Sequence, residues 1–275
     1  MSRHDYLSIQ PFDKSHAPEK AACQLVFILT TYNMTNRHIT MKNPPQHIII
    51  TGATGGIGAA CTKLFRSHDH VVSTWDIPEV DVTDIHQVTE RFRQDVDKHG
   101  PVAALVHCAG VMEPDSATNP QNTRNMTINY GGVVNVCSVV AKHMQEQRAG
   151  AIVVVSSNAA TTPRVGMASY GASKAAVTAW VRTLALESAQ FGVRCNVVSP
   201  GSTDTPMLRG MWQPGTDQSE QVIAGTPQEY RLGIPLQKLA QPADIAETCA
   251  FLISPAAGHI TMHDLRVDGG ATLDS

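Results

Sequence analysis

Tyr170 and Lys174 stand four residues apart in the segment SYGASKAAV, whose other side chains are mostly small. In a helix, positions i and i+4 lie on one face about one turn apart, so the phenol and the ammonium would be neighbours. A positive charge close to a phenol lowers its pKa from the usual value of about 10. We therefore predict that Tyr170 is a proton-transferring base and that Lys174 assists it.

Two further polar residues stand where they could support this pair. Ser157 ends the apolar run AIVVVSS, at the strand edge where open α/β sheets bind ligands. Asn129 lies inside a predicted helix, where its amide could disrupt a turn and hold a water. Each residue alone has an ordinary structural explanation, but the four together predict a catalytic set.

A glycine-rich turn, TGATGGIG over residues 51–58, separates the first predicted strand from the first predicted helix. Glycines let the backbone approach a pyrophosphate, and the helix beginning there offers free N–H groups to it. We predict that this turn binds a dinucleotide through Gly52, Thr54, Gly55, Gly56, Ile57 and Gly58.

Asp76 closes the second predicted strand. A carboxylate at this place can accept hydrogen bonds from the adenosine ribose hydroxyls, and it would repel a 2′-phosphate. No Arg or Lys stands in the glycine turn or directly after Asp76 to bind such a phosphate. The sequence therefore predicts NAD rather than NADP.

Short, almost continuously apolar segments alternate with helical patterns from Pro45 onward. Strands of this kind, each followed by a helix, are typical of a parallel sheet that is covered on both faces. We predict an α/β fold with one doubly wound parallel sheet over residues 45–275. Residues 1–44 form a separate N-terminal extension that we expect to be poorly ordered.

The composition of the chain argues against nucleic-acid binding, a membrane span and a metal site. The net charge of −3 offers no basic surface for nucleic acid, and no apolar run is long enough to span a membrane. The six cysteines show neither metal-ligand spacing nor a Cys-x-x-Cys pair, which indicates reduced thiols, no metal site and a cytoplasmic protein.

The glycine turn, the serine and the Tyr-x-x-x-Lys pair together resemble the short-chain dehydrogenase/reductase family, across residues 46–275. The resemblance implies a Rossmann-type sheet, a substrate hydrogen bond from Ser157 and a water relay that joins Asn129 to Lys174. Lys174 would also hold the nicotinamide ribose together with Tyr170. Further cofactor contacts are implied for Asp81, Val82, Cys108, Ala109, Gly110, Pro200, Gly201, Thr203 and Thr205. Cys108 departs from the Asn that is usual in the family.

The second half of the chain resembles one branch of this family, which converts a cyclohexadiene diol carboxylate to a catechol during siderophore synthesis. Segments such as GVRCNVVSPGSTDTPMLRGMW and HITMHDLRVDGG carry this likeness. Two alternatives stay open from the sequence: a sugar or polyol dehydrogenase of the same fold, and an NAD-sensing regulator without turnover.

Arg164 is the only basic residue in the loop between Ser157 and Tyr170. A guanidinium can bind a carboxylate through two parallel hydrogen bonds, so we predict that Arg164 and Met167 contact a carboxylated substrate. Arg209 and Arg231 are the competing cations. The apolar character of the helix after Tyr170 on nearly every face predicts a homo-oligomer, most simply a tetramer.

Overall fold

The computed structural model describes residues 45–120 and 123–273. The predicted extension over residues 1–44 lies outside the described residues. Within the described part, no helix combines the length and the apolar character that crossing a membrane requires.

Six parallel strands form one sheet in the order β2-β1-β3-β4-β5-β6, which confirms the predicted doubly wound α/β fold. The strands are β1 His47–Thr51, β2 Val71–Trp75, β3 Val102–His107, β4 Gly150–Val155, β5 Val193–Pro200 and β6 Asp264–Val267. The order reverses beside β1, because the chain passes first to one side of it and then to the other. Ligands of open α/β sheets bind at such a reversal, beyond the carboxyl ends of the strands.

Helices cover both faces of the sheet. They are α1 Gly56–Ser67, α2 Ile85–His99, α3 Gly132–Gln147, α4 Ala168–Ala189, α5 Pro206–Arg209, α6 Ser219–Ala224 and α7 Pro242–Ile253. Before α3, residues Asn125–Gly131 form a π-helical turn, and one-turn 3-10 helices span Asn158–Ala160, Pro227–Glu229 and Pro255–Ala257.

The core is divided by the sheet, because neighbouring strand residues point to opposite faces. In β1, Ile49 packs with apolar residues of α2, α3 and α4, whereas Ile48 and Ile50 pack with α1 and α7. Strands β1, β3, β4 and β5 are almost fully buried, which explains why their sequences are mostly apolar rather than alternating. The layers hold the carboxyl ends of β1, β3, β4 and β5 at one edge.

Candidate active site

Two adjoining cavities open at the carboxyl edge of the sheet. The larger, about 560 Å³, follows the glycine turn and the ends of β2 and β3, and we call it the nucleotide cavity. The smaller, about 140 Å³, lies over the ends of β4 and β5, and we call it the substrate cavity. Ile57, Cys108, Gly110 and Thr205 line both, so the two cavities form one continuous site.

The predicted cofactor residues divide between these cavities. The nucleotide cavity is lined by Gly52, Thr54, Gly55, Gly56, Ile57, Gly58, Asp76, Asp81, Val82, Cys108, Ala109, Gly110 and Thr205. The substrate cavity is lined by Tyr170, Lys174, Pro200, Gly201 and Thr203, together with Ser157, Arg164 and Met167 of the predicted substrate set. Asn129 lines neither cavity and lies behind Gly110, where a Cβ would approach its Oδ1 to 3.0 Å.

The glycine turn leaves no room for side chains. A Cβ on Gly58 would lie 2.1 Å from the carbonyl oxygen of Gly52, and one on Gly56 would lie 2.6 Å from a methyl carbon of Thr205. Gly52 itself has a φ of +62°, a conformation that L side chains rarely adopt. Helix α1 begins after Gly55 without a side-chain cap. The N–H groups of its first turn therefore face the cavity as ready donors to an anion.

Asp76 is held at the wall of the nucleotide cavity by the glycine turn. Its Oδ2 accepts hydrogen bonds from the backbone N–H of Thr54 at 2.8 Å and from the Thr54 hydroxyl at 2.5 Å. Its Oδ1 accepts a third from the N–H of Ile77 at 3.0 Å. A fixed negative charge thus stands at the end of β2, as the sequence predicts.

Tyr170 and Lys174 lie on one face of α4, one turn apart, and both are buried. The Lys174 ammonium donates to the carbonyl oxygen of Val155 at 3.0 Å and stands 5.9 Å from the centre of the Tyr170 ring. Burial lowers the pKa of Lys174 to about 8, because the charged form loses its hydration. The helical register predicted from the sequence is therefore present.

The pKa of Tyr170 differs from the sequence expectation. In the protein alone, burial raises it, and the hydrogen bond with Ser157 opposes that shift only in part. We expected the ammonium to lower it, but Lys174 points toward Val155 and lies over the ring instead. The phenol is thus protonated until further positive charge enters the site.

Ser157 ends β4 and faces Tyr170 across the substrate cavity. It caps the 3-10 turn that follows, since its hydroxyl accepts from the N–H of Ala159 at 3.1 Å. The same side chain lowers the pKa of Tyr170, so the two hydroxyl groups lie close together. A substrate oxygen placed between the serine and the tyrosine would meet both hydroxyl groups.

Asn129 lies in the π-helical turn, which confirms that the helix is irregular there. Its amide is fully engaged: Oδ1 accepts from the N–H of Val111 at 2.8 Å, and Nδ2 donates to Val111 O and to Ser173 Oγ, both at 3.0 Å. π-helical turns often mark functional sites. Here the turn fixes the segment after β3 against α4.

Sequence reasoning missed a second bridge of the same kind. Asn125, one turn earlier, accepts from the N–H of Glu113 and donates to Ser169 Oγ at 2.8 Å. The spacing of four residues is repeated in both pairs, Asn125 with Asn129 and Ser169 with Ser173. The signal was present in the sequence, but only the fold shows that the two segments meet.

The segment after β5 is organised by Thr205. The Thr205 hydroxyl caps α5 by accepting from the N–H of Leu208 at 3.2 Å, and it donates to Thr203 O at 3.3 Å. Thr205 also lines both cavities, and the cofactor contact implied for it stays a prediction. The segment carries Met207 and Met211, which the sequence analysis did not single out, into the wall of the substrate cavity.

Comparisons with known proteins give consistent results. A family model described as enoyl-(acyl carrier protein) reductase matches residues 76–272. The chain is 41% identical to a 2,3-dihydro-2,3-dihydroxybenzoate dehydrogenase of Bacillus subtilis, over 82% of this chain and 95% of that protein. It is 40% identical to a dehydrogenase of the same name from Escherichia coli, over 83% of this chain and 97% of that protein. Among solved structures, ElxO with NADP bound superimposes with a TM-score of 0.75 at 27% identity, covering 84% of this chain and all of that one.

Proposed function

The chain belongs to the short-chain dehydrogenase/reductase family, and we propose that it oxidises 2,3-dihydro-2,3-dihydroxybenzoate to 2,3-dihydroxybenzoate with NAD as the hydride acceptor. The bacterial relatives of that name support this reaction for a nicotinamide-dependent oxidoreductase. One observation carries it within the site: Arg164 faces the cavity that holds Ser157 and Tyr170, and it has no ion-pair partner within the described residues.

The nucleotide cavity fits a dinucleotide. The missing Cβ atoms of Gly56 and Gly58 let the backbone approach a pyrophosphate, and the uncapped N–H groups of α1 would bind it. Asp81 and Val82 would border the adenine. When bound, NAD supplies the ring that accepts a hydride from the substrate carbon.

Asp76 favours NAD over NADP. Its carboxylate is fixed by Thr54 and Ile77, so it cannot turn away from the ribose without breaking those hydrogen bonds. Ribose hydroxyls would donate to it, whereas a 2′-phosphate would place two negative charges side by side. ElxO is seen with NADP, but that preference belongs to ElxO.

Tyr170 takes the proton of the hydroxyl group that is oxidised. Ser157 hydrogen-bonds the same oxygen and holds it beside the phenol. Since burial raises the pKa of Tyr170 in the protein alone, ionisation would depend on the positive charge that the oxidised cofactor adds to the site. Asn129 positions these groups through the bonds of its amide to Val111 and Ser173, and its water relay to Lys174 stays a prediction.

Arg164 binds the substrate carboxylate from the loop before α4, and Met167 contacts the carbon ring from the same loop. Loss of a hydride from C3 and of the proton from the C3 hydroxyl group gives a ketone that tautomerises to an aromatic catechol. The gain of aromaticity makes the overall step effectively one-way. A sugar or polyol would leave the Arg164 charge without a partner in a half-buried place.

The test is direct. Purified protein with NAD and the dihydrodiol acid should form NADH and 2,3-dihydroxybenzoate in equal amounts, followed by absorbance and by chromatography. A neutral cyclic diol and an aldohexose serve as comparison substrates. Faster oxidation of either one, or NADH without catechol product, would contradict the proposed substrate.

A further inference from the structure

Two arginines, rather than one, face the substrate cavity. Arg164 comes from the loop before α4, and Arg231 comes from the hairpin that follows the 3-10 turn Pro227–Glu229. They lie 67 positions apart in the chain, and only the fold brings them to the same wall. Both are partly buried, so their charges are poorly screened by solvent.

Neither charge is neutralised by an ion pair. Within residues 45–120 and 123–273, every arginine–carboxylate contact of 4.0 Å or less involves other arginines. Burial, and next the charge of Arg231, lower the pKa of Arg164, which is consistent with the two guanidinium groups lying at the same cavity wall. Asp268 opposes that shift, but its carboxylate is bonded to Asn158, Gly270 and Thr272.

The position of Arg231 is fixed by its surroundings. Its Nη2 donates to Ser202 Oγ at 2.9 Å, and Ser202 also lines the substrate cavity. The backbone N–H of Arg231 donates to the carbonyl oxygen of Thr226, and the N–H of Thr226 donates to the carbonyl oxygen of Arg231. Gly225, at a φ of +87°, permits this tight hairpin, because a Cβ there would lie 2.5 Å from Gly233 N. The guanidinium is therefore held at the cavity before any ligand arrives.

We propose that Arg164 and Arg231 together form a carboxylate clamp, with one guanidinium on each side of a single carboxylate group of the substrate. Asp268 and Glu229 act on these two partly buried charges only from beyond ion-pair distance, so a carboxylate between the two guanidinium groups would still relieve the cost of burying them. The hydrogen bonds would be charge-assisted, since donor and acceptor are both ionised. The identity of the carboxylate rests on the proposed function, but the clamp itself does not depend on turnover.

Arg209, the remaining candidate from the sequence, is excluded from the clamp. It binds Asp204 through two hydrogen bonds, of 2.6 and 3.0 Å, and its guanidinium lies over the Trp212 ring. It does not line the substrate cavity. Arg209 therefore serves as the matched control from the same stretch of chain.

The clamp is tested by equilibrium binding, without catalysis. Calorimetry measures the affinity of the protein–NAD complex for 2-hydroxybenzoate and for 2-hydroxybenzamide, which lacks the charge. Arg164→Gln and Arg231→Gln should each weaken 2-hydroxybenzoate binding by about tenfold or more. The same variants should change 2-hydroxybenzamide binding by less than about threefold, and Arg209→Gln should bind both compounds as the unaltered protein does.

Each outcome decides the inference. Unchanged 2-hydroxybenzoate binding in Arg231→Gln overturns the clamp, even if Arg164→Gln binds weakly. Equal losses for the acid and the amide also overturn it, because the arginine would then only shape the cavity. NAD affinity and melting temperature confirm that the variants are folded. Absence of turnover with the dihydrodiol acid would overturn the proposed function, while selective loss of carboxylate binding would still establish the clamp.

Discussion

Asn129 donates a hydrogen bond from Nδ2 to Ser173 Oγ over 3.0 Å, which joins the π-helical turn to the residue beside Lys174. Ser173 in turn donates to the carbonyl oxygen of Tyr170 at 2.7 Å. One serine hydroxyl thus connects the irregular turn to the backbone between the two proposed catalytic side chains. These two hydrogen bonds make Ser173 a positioning residue for Tyr170 and Lys174.

Ser173→Ala should lower kcat by about fivefold to tenfold and shift the pH profile of kcat, because the loss of one hydrogen bond loosens the Tyr170 and Lys174 geometry. Ser188→Ala is the control. Ser188 lies on the same helix and accepts from Gln145 of α3 at 2.9 Å, far from the site. We expect the control to lower only the melting temperature. An unshifted pH profile in Ser173→Ala would show that its role is merely structural.

Tyr170→Phe should reduce kcat by at least about 100-fold, because the ring remains and only the base is lost. NAD affinity, measured by fluorescence titration, should change little. The phenol also loses its interaction with Ser157, so Ser157→Ala is the companion variant. If Tyr170→Phe kept more than about a tenth of kcat, another group would have to be the base.

Replacing Asp76 with Ser and Ile77 with Arg should move the preference from NAD toward NADP, because the negative charge is exchanged for a positive one. The ratio of kcat/KM for the two nucleotides measures this preference. Thr54→Val is the control: it removes the hydroxyl donor to Asp76 but leaves the carboxylate and its two backbone N–H bonds in place. Equal use of both nucleotides by the unaltered protein would contradict the assignment of Asp76.

Stability should fall as the pH is lowered below about 6.5, because His107 is fully buried and neutral. Burial and the charge of Lys174 lower the pKa of His107 to about 3. As the pH falls, His107 is therefore protonated in the unfolded chain before it is protonated in the folded protein, and this favours unfolding. The unfolding free energy should drop by roughly 1.5 kcal/mol between about pH 6.5 and about pH 5 from this residue. Urea titrations of the unaltered chain and of His107→Leu measure the difference. If the unfolding free energy of both proteins changed with pH to the same extent, His107 would not be the cause of the pH dependence.

A homotetramer is expected in solution. Helix α4 exposes Ala172, Ala179 and Leu186 at intervals of seven residues, and Leu186 is 65% exposed. Such a face is suited to a second copy of itself. Sedimentation velocity at micromolar concentration should show one large species, and Leu186→Asp should shift it to smaller ones, whereas Lys98→Asp on α2 should not. A stable monomer would contradict the prediction.

The sequence predicts the parts of the site that depend on local geometry. The Tyr170 and Lys174 register follows from helical periodicity, and the glycine turn follows from the steric needs of a strand-to-helix connection. The parallel sheet follows from short apolar segments that alternate with helical patterns. These features required no knowledge of which distant segments meet.

The parts that the sequence could not predict depend on contacts between distant segments. Ser173 pairs with Asn129 across 44 positions, and Arg231 reaches the cavity from beyond β5. The direction of the Tyr170 pKa shift was also wrong in expectation, since the orientation of Lys174 toward Val155 is set by tertiary packing. Spacing along the chain contains none of this information.

The clamp formed by Arg164 and Arg231 would hold a group that the oxidation leaves unaltered. Substrate and product carry the same carboxylate, so its binding energy is shared equally by reactant, transition state and product. Such uniform binding lowers KM but also slows the departure of the catechol acid. Product dissociation then limits turnover when substrate is abundant, and the free product competes with substrate for the same cations.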